Sequence, residues 1–302
     1  MPNKKTDLVI LGTIALDDIK TPFGSVSSVP GGSATYAAIA ASHFAVPGVI
    51  SIAGKDFPPA QLVKLKSRGI NLEGLSKADK TFRWKGYYEF DMNEAKTLET
   101  KLNSIENYAP EIPLAYQSTK FLLLSNIDPK VQIKVAASCL KAFVVLDTMN
   151  YWIKHSRKKL TEAMKMADLI VLNDAEARQF SVEVNLVKAA KAILRMGPKY
   201  VVIKKGEHGA LLFSEGKHFS APAYPLEEAK DPTGAGDSFA GTLTAYLASQ
   251  GKTDEKTVRK AIISASSVAS YCTEDFSINK LIKLNKKLIE ERYDIFKEIR
   301  KF

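Results

Sequence analysis

Cysteine is scarce: there are two in 302 residues, Cys139 and Cys272. They have no metal-ligand spacing and are read as buried or free thiols of a reducing cytoplasm. Long apolar runs are missing too. None approaches the ~20 residues that a bilayer-crossing helix needs, so no membrane partner is expected. The first seven residues pass directly into a short strand, and no signal peptide is expected there. Lysine and arginine outnumber acidic residues 43 to 33, a net charge of +10, but they fall in scattered pairs such as Lys158-Lys159 and Lys286-Lys287. No basic block interleaves with aromatics as single-strand binding would need. The charge is therefore read as solvated surface with a modest attraction for polyanionic substrates, and no nucleic-acid partner is expected. No G-x-x-x-x-G-K-[ST] occurs, which argues against a P-loop nucleotidase. The G-x-G-x-x-G of a dinucleotide-binding fold is absent from the first strand turn, where it belongs. Internal repeats and low-complexity linkers are absent as well. What remains is an ordinary soluble composition, 45% hydrophobic and 25% charged, in a chain long enough to bury a large core without staples.

One stretch dominates what is present: Asp231-Pro232-Thr233-Gly234-Ala235-Gly236-Asp237-Ser238-Phe239-Ala240-Gly241. Three small residues lead into Asp237, and an apolar, helix-forming run follows. Small residues let the backbone turn tightly and let a ligand approach. The helix that starts here points unpaired N–H groups and its positive dipole end at that turn, a geometry that binds phosphate. Asp237 beside such an anion hole can take a proton from an incoming hydroxyl while the hole holds a transferring phosphoryl group. A lone G-x-G-D could equally be a tight turn and a helix cap.

The whole run is more specific. It resembles the C-terminal signature of the ribokinase-like, or PfkB, carbohydrate kinase family. The resemblance implies that Asp237 is the catalytic base and that the amides of Gly234, Ala235 and Gly236 form the anion hole. It implies a doubly wound, mostly parallel α/β sheet flanked by helices in a single domain over residues 1–302. A small β-sheet lid, built from about residues 13–30 and 71–108, covers the acceptor site. ATP and Mg2+ are the implied cofactors. Asp231 and Thr233 match positions near the family's monovalent-cation site, although residues 273–277 align poorly with the rest of it, which leaves K+ dependence open.

The chain in order carries further matches, spread from Gly12 to about Ser277. Residues 7–11 form a short apolar run suited to a buried parallel strand. Asp17 follows it and matches the family's acceptor-binding aspartate better than Asp18; a carboxylate there suits a vicinal diol. Gly31, Gly32 and Ser33 open a small-residue helix and resemble the acceptor-side G-G. Tyr36 stands where many members carry Asn, which points to an unusual acceptor and keeps nucleosides in play through stacking. Residues 81–90 alternate with period two, putting Phe82, Trp84, Tyr88 and Phe90 on one face. That is read as a lid strand whose aromatic face is covered, by a second copy in a homodimer or by the protein's own loops. Strands are expected at 121–125, 143–146, 169–172, 200–204 and 210–213, and helices at 236–249, 255–271 and 278–299. Asp147 and Asn150 resemble the family's D-x-N with one residue added. Asn173 and Glu176 match its N-x-x-E, which is thought to organise Mg2+ and phosphate indirectly; the same pair also forms a capping box. Lys204, Gly206 and Gly209 lie at the family's nucleotide-side turn. The reading is an ATP-dependent kinase acting on a hydroxyl of a sugar or nucleoside. The alternative is a catalytically silent sugar- or nucleotide-binding regulator on the same fold.

Overall fold

The computed structural model describes residues 5–301; most of the opening heptad, read above as free of a signal peptide, lies outside it. In chain order the strands are β1 (Leu8–Leu11), β2 (Ala15–Thr21), β3 (Gly24–Gly31), β4 (Pro47–Gly54), β5 (Asn71–Ala78), β6 (Phe82–Tyr87), β7 (Lys96–Lys101), β8 (Phe121–Leu124), β9 (Phe143–Asp147), β10 (Leu169–Asn173), β11 (Tyr200–Lys204), β12 (Ala210–Ser214) and β13 (Lys217–Ala221). Nine of them form one sheet in the order β13-β12-β11-β10-β9-β8-β1-β4-β5. Pairing from β11 to β5 is parallel, and β12 and β13 close one edge antiparallel.

Both faces of this sheet are buried, which is why its strands read as continuous apolar runs. Leu8, Ile10, Leu123, Val145, Val171 and Val202 face the helices Ser33–Ala41, Ala235–Gln250 and Glu255–Cys272. Val9, Leu11, Leu122, Leu146, Leu172 and Ile203 face the opposite layer, which includes the helices Pro129–Ser138, Asp174–Ser181 and Leu186–Leu194. Because side chains alternate, the next residue of the first set at each strand end also faces the Ala235–Gln250 helix. Those residues are Ser125, Asp147 and Lys204; Asn173, at the same edge, turns instead to cap the Asp174–Ser181 helix. Open α/β sheets place their sites along this C-terminal edge of the parallel strands.

The other four strands form a separate sheet, β3-β2-β6-β7. Two expectations need correction here. Residues 71–78, expected in the lid, run parallel to β4 as the outer strand of the large sheet; the small sheet is built from 15–31 and 82–101. The alternation of 81–90 is not one strand either. β6 ends at Tyr87 after an irregularity at Lys85/Gly86, Tyr88 turns to bond Thr233, and Phe90 is 93% exposed. Phe82, Trp84 and Tyr88 are half-buried within the one chain, so only Phe90 keeps the exposure that called for a second copy. The expected helix over 278–299 is also interrupted. A short turn at Leu281–Lys283 precedes the helix Lys286–Ile299, whose start Asn285 caps through Leu288 N–H. Cys139 and Cys272 are free and buried. No helix among the described residues is long and apolar enough to cross a membrane.

Candidate active site

The Ala235–Gln250 helix starts from Gly234, whose φ of 77° is the left-handed turn its sequence position demands. The Tyr36 ring, from the first helix, packs directly against that glycine. Ala235, expected as a third donor, gives its N–H to the Pro232 carbonyl at 3.1 Å. The amides of Gly234, Gly236 and Asp237 have no protein partner among the described residues. The turn therefore still presents a set of free donors at a helix start.

Asp237 lies in the first turn of this helix, and its Oδ1 accepts from Ser125 Oγ at 3.4 Å. Burial pushes its pKa up to about 7, helped by the Asp147 charge, while Lys204 and Ser125 pull it back. That places it where a general base for neutral pH belongs. On the neighbouring strand ends, Lys204 Nζ is 3.3 Å from Asp147 Oδ1. Burial opposes the Lys204 charge, but the carboxylates of Asp147, Glu176 and Asp237 outweigh it and raise its pKa. Asp147 itself is raised by burial against the pull of Lys204.

Asn173 and Glu176 form the capping box. Asn173 Oδ1 accepts from Glu176 N–H at 2.7 Å, and Glu176 Oε2 accepts from Asn173 N–H at 2.8 Å. Burial raises Glu176 to about 7, with Lys204 acting against it. Gly206 and Gly209 bracket the β11–β12 turn, which Lys205 N–H closes onto the Gly209 carbonyl at 2.7 Å. Asn93, from the loop after β6, reaches across to Gly206.

The small sheet carries Asp17 and Trp84 of the expected acceptor side. Asp17 is 3% exposed and sits against Gly31. Burial pushes it up to about 8, with the charges of Asp231 and Asp237 adding to the effect and the Gly32 amide opposing it. Asp18 points the other way, accepting from Ser27 Oγ and Ser28 N–H near Lys85 and Arg83, and its pKa is lowered. Trp84 is the cross-strand partner of Asp17 and shares its face. Tyr36 is buried, and its hydroxyl has no hydrogen-bond partner among the described residues. Burial raises its pKa, aided by Asp17 and Asp231.

Ser33 departs from its expected role. Its hydroxyl donates to the Asn126 carbonyl and accepts from Thr13 N–H, both at 3.0 Å, stitching the ends of β1 and β8 to the first helix. Asp231 is fully buried; its oxygens accept from Thr233 N–H at 2.9 Å and Ser277 N–H at 3.2 Å. Thr233 Oγ1 bonds the Tyr88 hydroxyl at 3.2 Å. Sequence reasoning did not find Ser125 or Asn93 as site residues, and named Tyr88 as a lid aromatic without its bond to Thr233. Ser125 carried one usable signal, a polar residue closing an apolar strand; Asn93 and the Tyr88 bond arrive only through the path of the loop after β6.

Comparison with known proteins fits this arrangement. The model of the pfkB family of carbohydrate kinases matches residues 6–280. A cytidine kinase from Thermococcus kodakarensis is 30% identical over 260 residues, 84% of this chain and 92% of the relative. Among solved structures, the nucleoside kinase of Methanocaldococcus jannaschii superposes with a TM-score of 0.77 at 19% identity, covering 96% of this chain and 99% of that one. Fructokinase from Vibrio cholerae, bound to fructose, ADP and a calcium ion, gives 0.79 at 17% identity over 96% and 100%. At these identities the two structures speak to the ribokinase fold alone.

Proposed function

Since the chain belongs to the pfkB family of carbohydrate kinases, we propose that it transfers the γ-phosphoryl group of ATP to a hydroxyl of a ribonucleoside, with Asp237 as general base. The observation that carries this reading is Asp237 itself: a half-buried carboxyl, its pKa pushed up to about 7 by partial desolvation, in the first turn of a helix whose leading amides are free among the described residues. The acceptor oxygen loses its proton to Asp237 and attacks the γ-phosphorus, while the free amides at Gly234 and Gly236 hold the phosphoryl oxygens. Asp17 accepts two hydroxyl hydrogen bonds from a ribose-like diol, and Gly31 and Gly32 let the ring come close. Trp84 and Tyr36 give the base aromatic surface, and the cytidine kinase relative supports a nucleoside. The nucleotide lies along Asn173, Glu176, Lys204, Gly206 and Gly209.

No group of three His, Cys, Asp or Glu side chains forms a metal cage among the described residues. The buried carboxylates of Glu176 and Asp147 instead suit an ion held mainly by phosphate oxygens and water, as Mg2+ is. Glu176 would hold it indirectly, and it would neutralise charge on the polyphosphate. Asp231 carries a buried carboxyl that accepts from the Thr233 and Ser277 amides and has no ion pair among the described residues, so a monovalent cation such as K+ at Asp231 and Thr233 would supply the missing positive charge. Replacing K+ by a bulky organic cation is expected to lower kcat. A homodimer joined through β7 and Phe90 completes the reading; a monomeric mass at micromolar concentration would remove it.

The test is acceptor-dependent ADP release across ribonucleosides, pentoses, hexoses and hexose phosphates. A ribonucleoside is expected to give the highest kcat/KM. A hexose or hexose phosphate in first place would overturn the nucleoside assignment, and no acceptor-stimulated release at all would overturn the kinase reading.

A further inference from the structure

A turn made of backbone amides carries only partial charges, whereas a phosphoryl group in transfer spreads its negative charge over three equatorial oxygens. Lys204 lies beside that turn. β9 and β11 flank β10, and the alternation that sends Val145 and Val202 to the Ala235–Gln250 helix sends Asp147 and Lys204 to its first turn. The ammonium is 2.8 Å from the place a Cβ on Gly236 would occupy, so glycine leaves room for it. Its one hydrogen bond among the described residues is the 3.3 Å contact with Asp147. An ammonium has three N–H donors; two therefore stay free beside the amides of the turn. The pair is largely enclosed, with side chains 17% and 4% exposed.

We propose that Lys204 is a catalytic residue of this chain, its ammonium contacting the phosphoryl group as it passes from ATP to the acceptor, and that Asp147 is the positioning residue that holds it there. This rests on the kinase reading above. A fixed positive charge in a water-poor site stabilises developing negative charge more than it would in water, and costs no reorganisation during reaction. The acceptor O–H gives its proton to Asp237, and its oxygen bonds to the γ-phosphorus. The bond from that phosphorus to the β–γ bridging oxygen breaks, and the electron pair leaves with ADP. Lys204 keeps its proton throughout. Asp147 has a second task in this arrangement. By bonding the ammonium itself, it keeps Lys204 from pairing with Asp237, whose oxygen must stay free to accept the proton.

The experiment compares wild type with Lys204→Met, Gly236→Ala and the double variant Lys204→Met/Asp147→Asn. Each is measured for kcat, acceptor KM, and calorimetric affinity for ATP and for ADP without acceptor. Lys204→Met is expected to lower kcat about 10²–10³-fold, the usual loss for one preorganised donor at a developing charge. Acceptor KM and ADP affinity should hold, while ATP, which alone carries the γ-group, binds about tenfold or more weakly. Gly236→Ala keeps every amide and displaces the ammonium, so it should show the same split to a smaller degree. If Lys204→Met fails to fold because Asp147 is left buried and alone, the double variant removes both charges and should show the same kcat loss. Turnover within about twofold of wild type in a folded Lys204→Met or double variant would overturn the proposal. So would equal weakening of ATP and ADP, which would make Lys204 an anchor for the nucleotide only. Should wild type phosphorylate no acceptor, the kinase reading fails, and the ATP-to-ADP affinity ratio in Lys204→Met still decides the contact.

Discussion

The two ends of the site both bury carboxyl groups, but they balance them differently. At the phosphoryl end, Asp147, Glu176 and Asp237 surround the Lys204 ammonium, and that cation pulls all three carboxyls back toward ionisation. At the acceptor end, Asp17 lies near Asp231 and Tyr36, and no basic side chain of the described residues acts appreciably on it. Burial pushes it up to about 8, and the charges of Asp231 and Asp237 add to the rise. The difference matches what each end handles. A polyphosphate needs positive charge and free N–H donors in place before it arrives. A sugar ring is neutral and rich in hydroxyls, which both donate and accept, so a carboxyl and a phenol serve it without a basic side chain.

The comparison can be broken end by end. Asp237→Asn should have the largest effect, lowering kcat about 10²–10⁴-fold while ATP affinity and the fold persist, because a near-isosteric amide replaces the base. Steady-state kinetics beside nucleotide titration checks it. Asp17→Ala should instead strike the acceptor, cutting kcat/KM about 10–100-fold, the value of two hydrogen bonds of about 1 kcal/mol each, with KM for ATP unchanged. The same measurement on a deoxy acceptor with wild type should show it to be a poor substrate; equal use of both acceptors would dissolve the diol clamp. Tyr36→Phe should cost acceptor kcat/KM up to about tenfold, one neutral hydrogen bond. It should not destabilise the ligand-free protein, in which that hydroxyl has no partner among the described residues.

The smallest effect is a slope of stability with pH. Asp17, Glu176 and Asp237 hold protons in the folded state more tightly than in the unfolded chain, where carboxyls titrate near 4. Between about pH 4 and 8 the folded state therefore binds more protons, and stability falls as pH rises through that window. Thermal melts of the ligand-free protein should show this fall, and Asp17→Asn should flatten its upper part. A wild-type melting temperature that climbs steadily from pH 5 to 8 would contradict the burial of these groups in acid form.

Much of the architecture was legible because burial on both faces writes itself as short apolar runs: 7–11, 121–125, 169–172 and 200–204 all became strands of the large sheet. Edges were not legible. β7, Lys-Thr-Leu-Glu-Thr-Lys, is exposed at every position and exists through pairing with β6. β5 has only Gly74 buried, so its sequence gave no sign of which sheet it joins. In the candidate site, Asp237, Gly234 and Gly236 could be nominated because small residues and a charge open an apolar helical run, whereas Asp17 and Lys204 were nominated through the family resemblance. The structural part of Ser33 was not legible, because its local context suits a ligand as well as it suits Thr13 and Asn126, which its hydroxyl meets in the fold. Tyr88 and Asn93 depend on where a surface loop lands, which no local pattern encodes.

The most direct measurement is a crystal structure with ADP and a ribonucleoside bound together. One ribose hydroxyl is expected within about 2.6–3.2 Å of an Asp237 oxygen, the reach of a general base, with the ring diol on Asp17 and the Lys204 ammonium directed at the space beyond the β-phosphate. An acceptor whose nearest carboxylate is not Asp237, or whose diol lies away from Asp17, would contradict the division of the site into a charged phosphoryl end and an uncharged acceptor end.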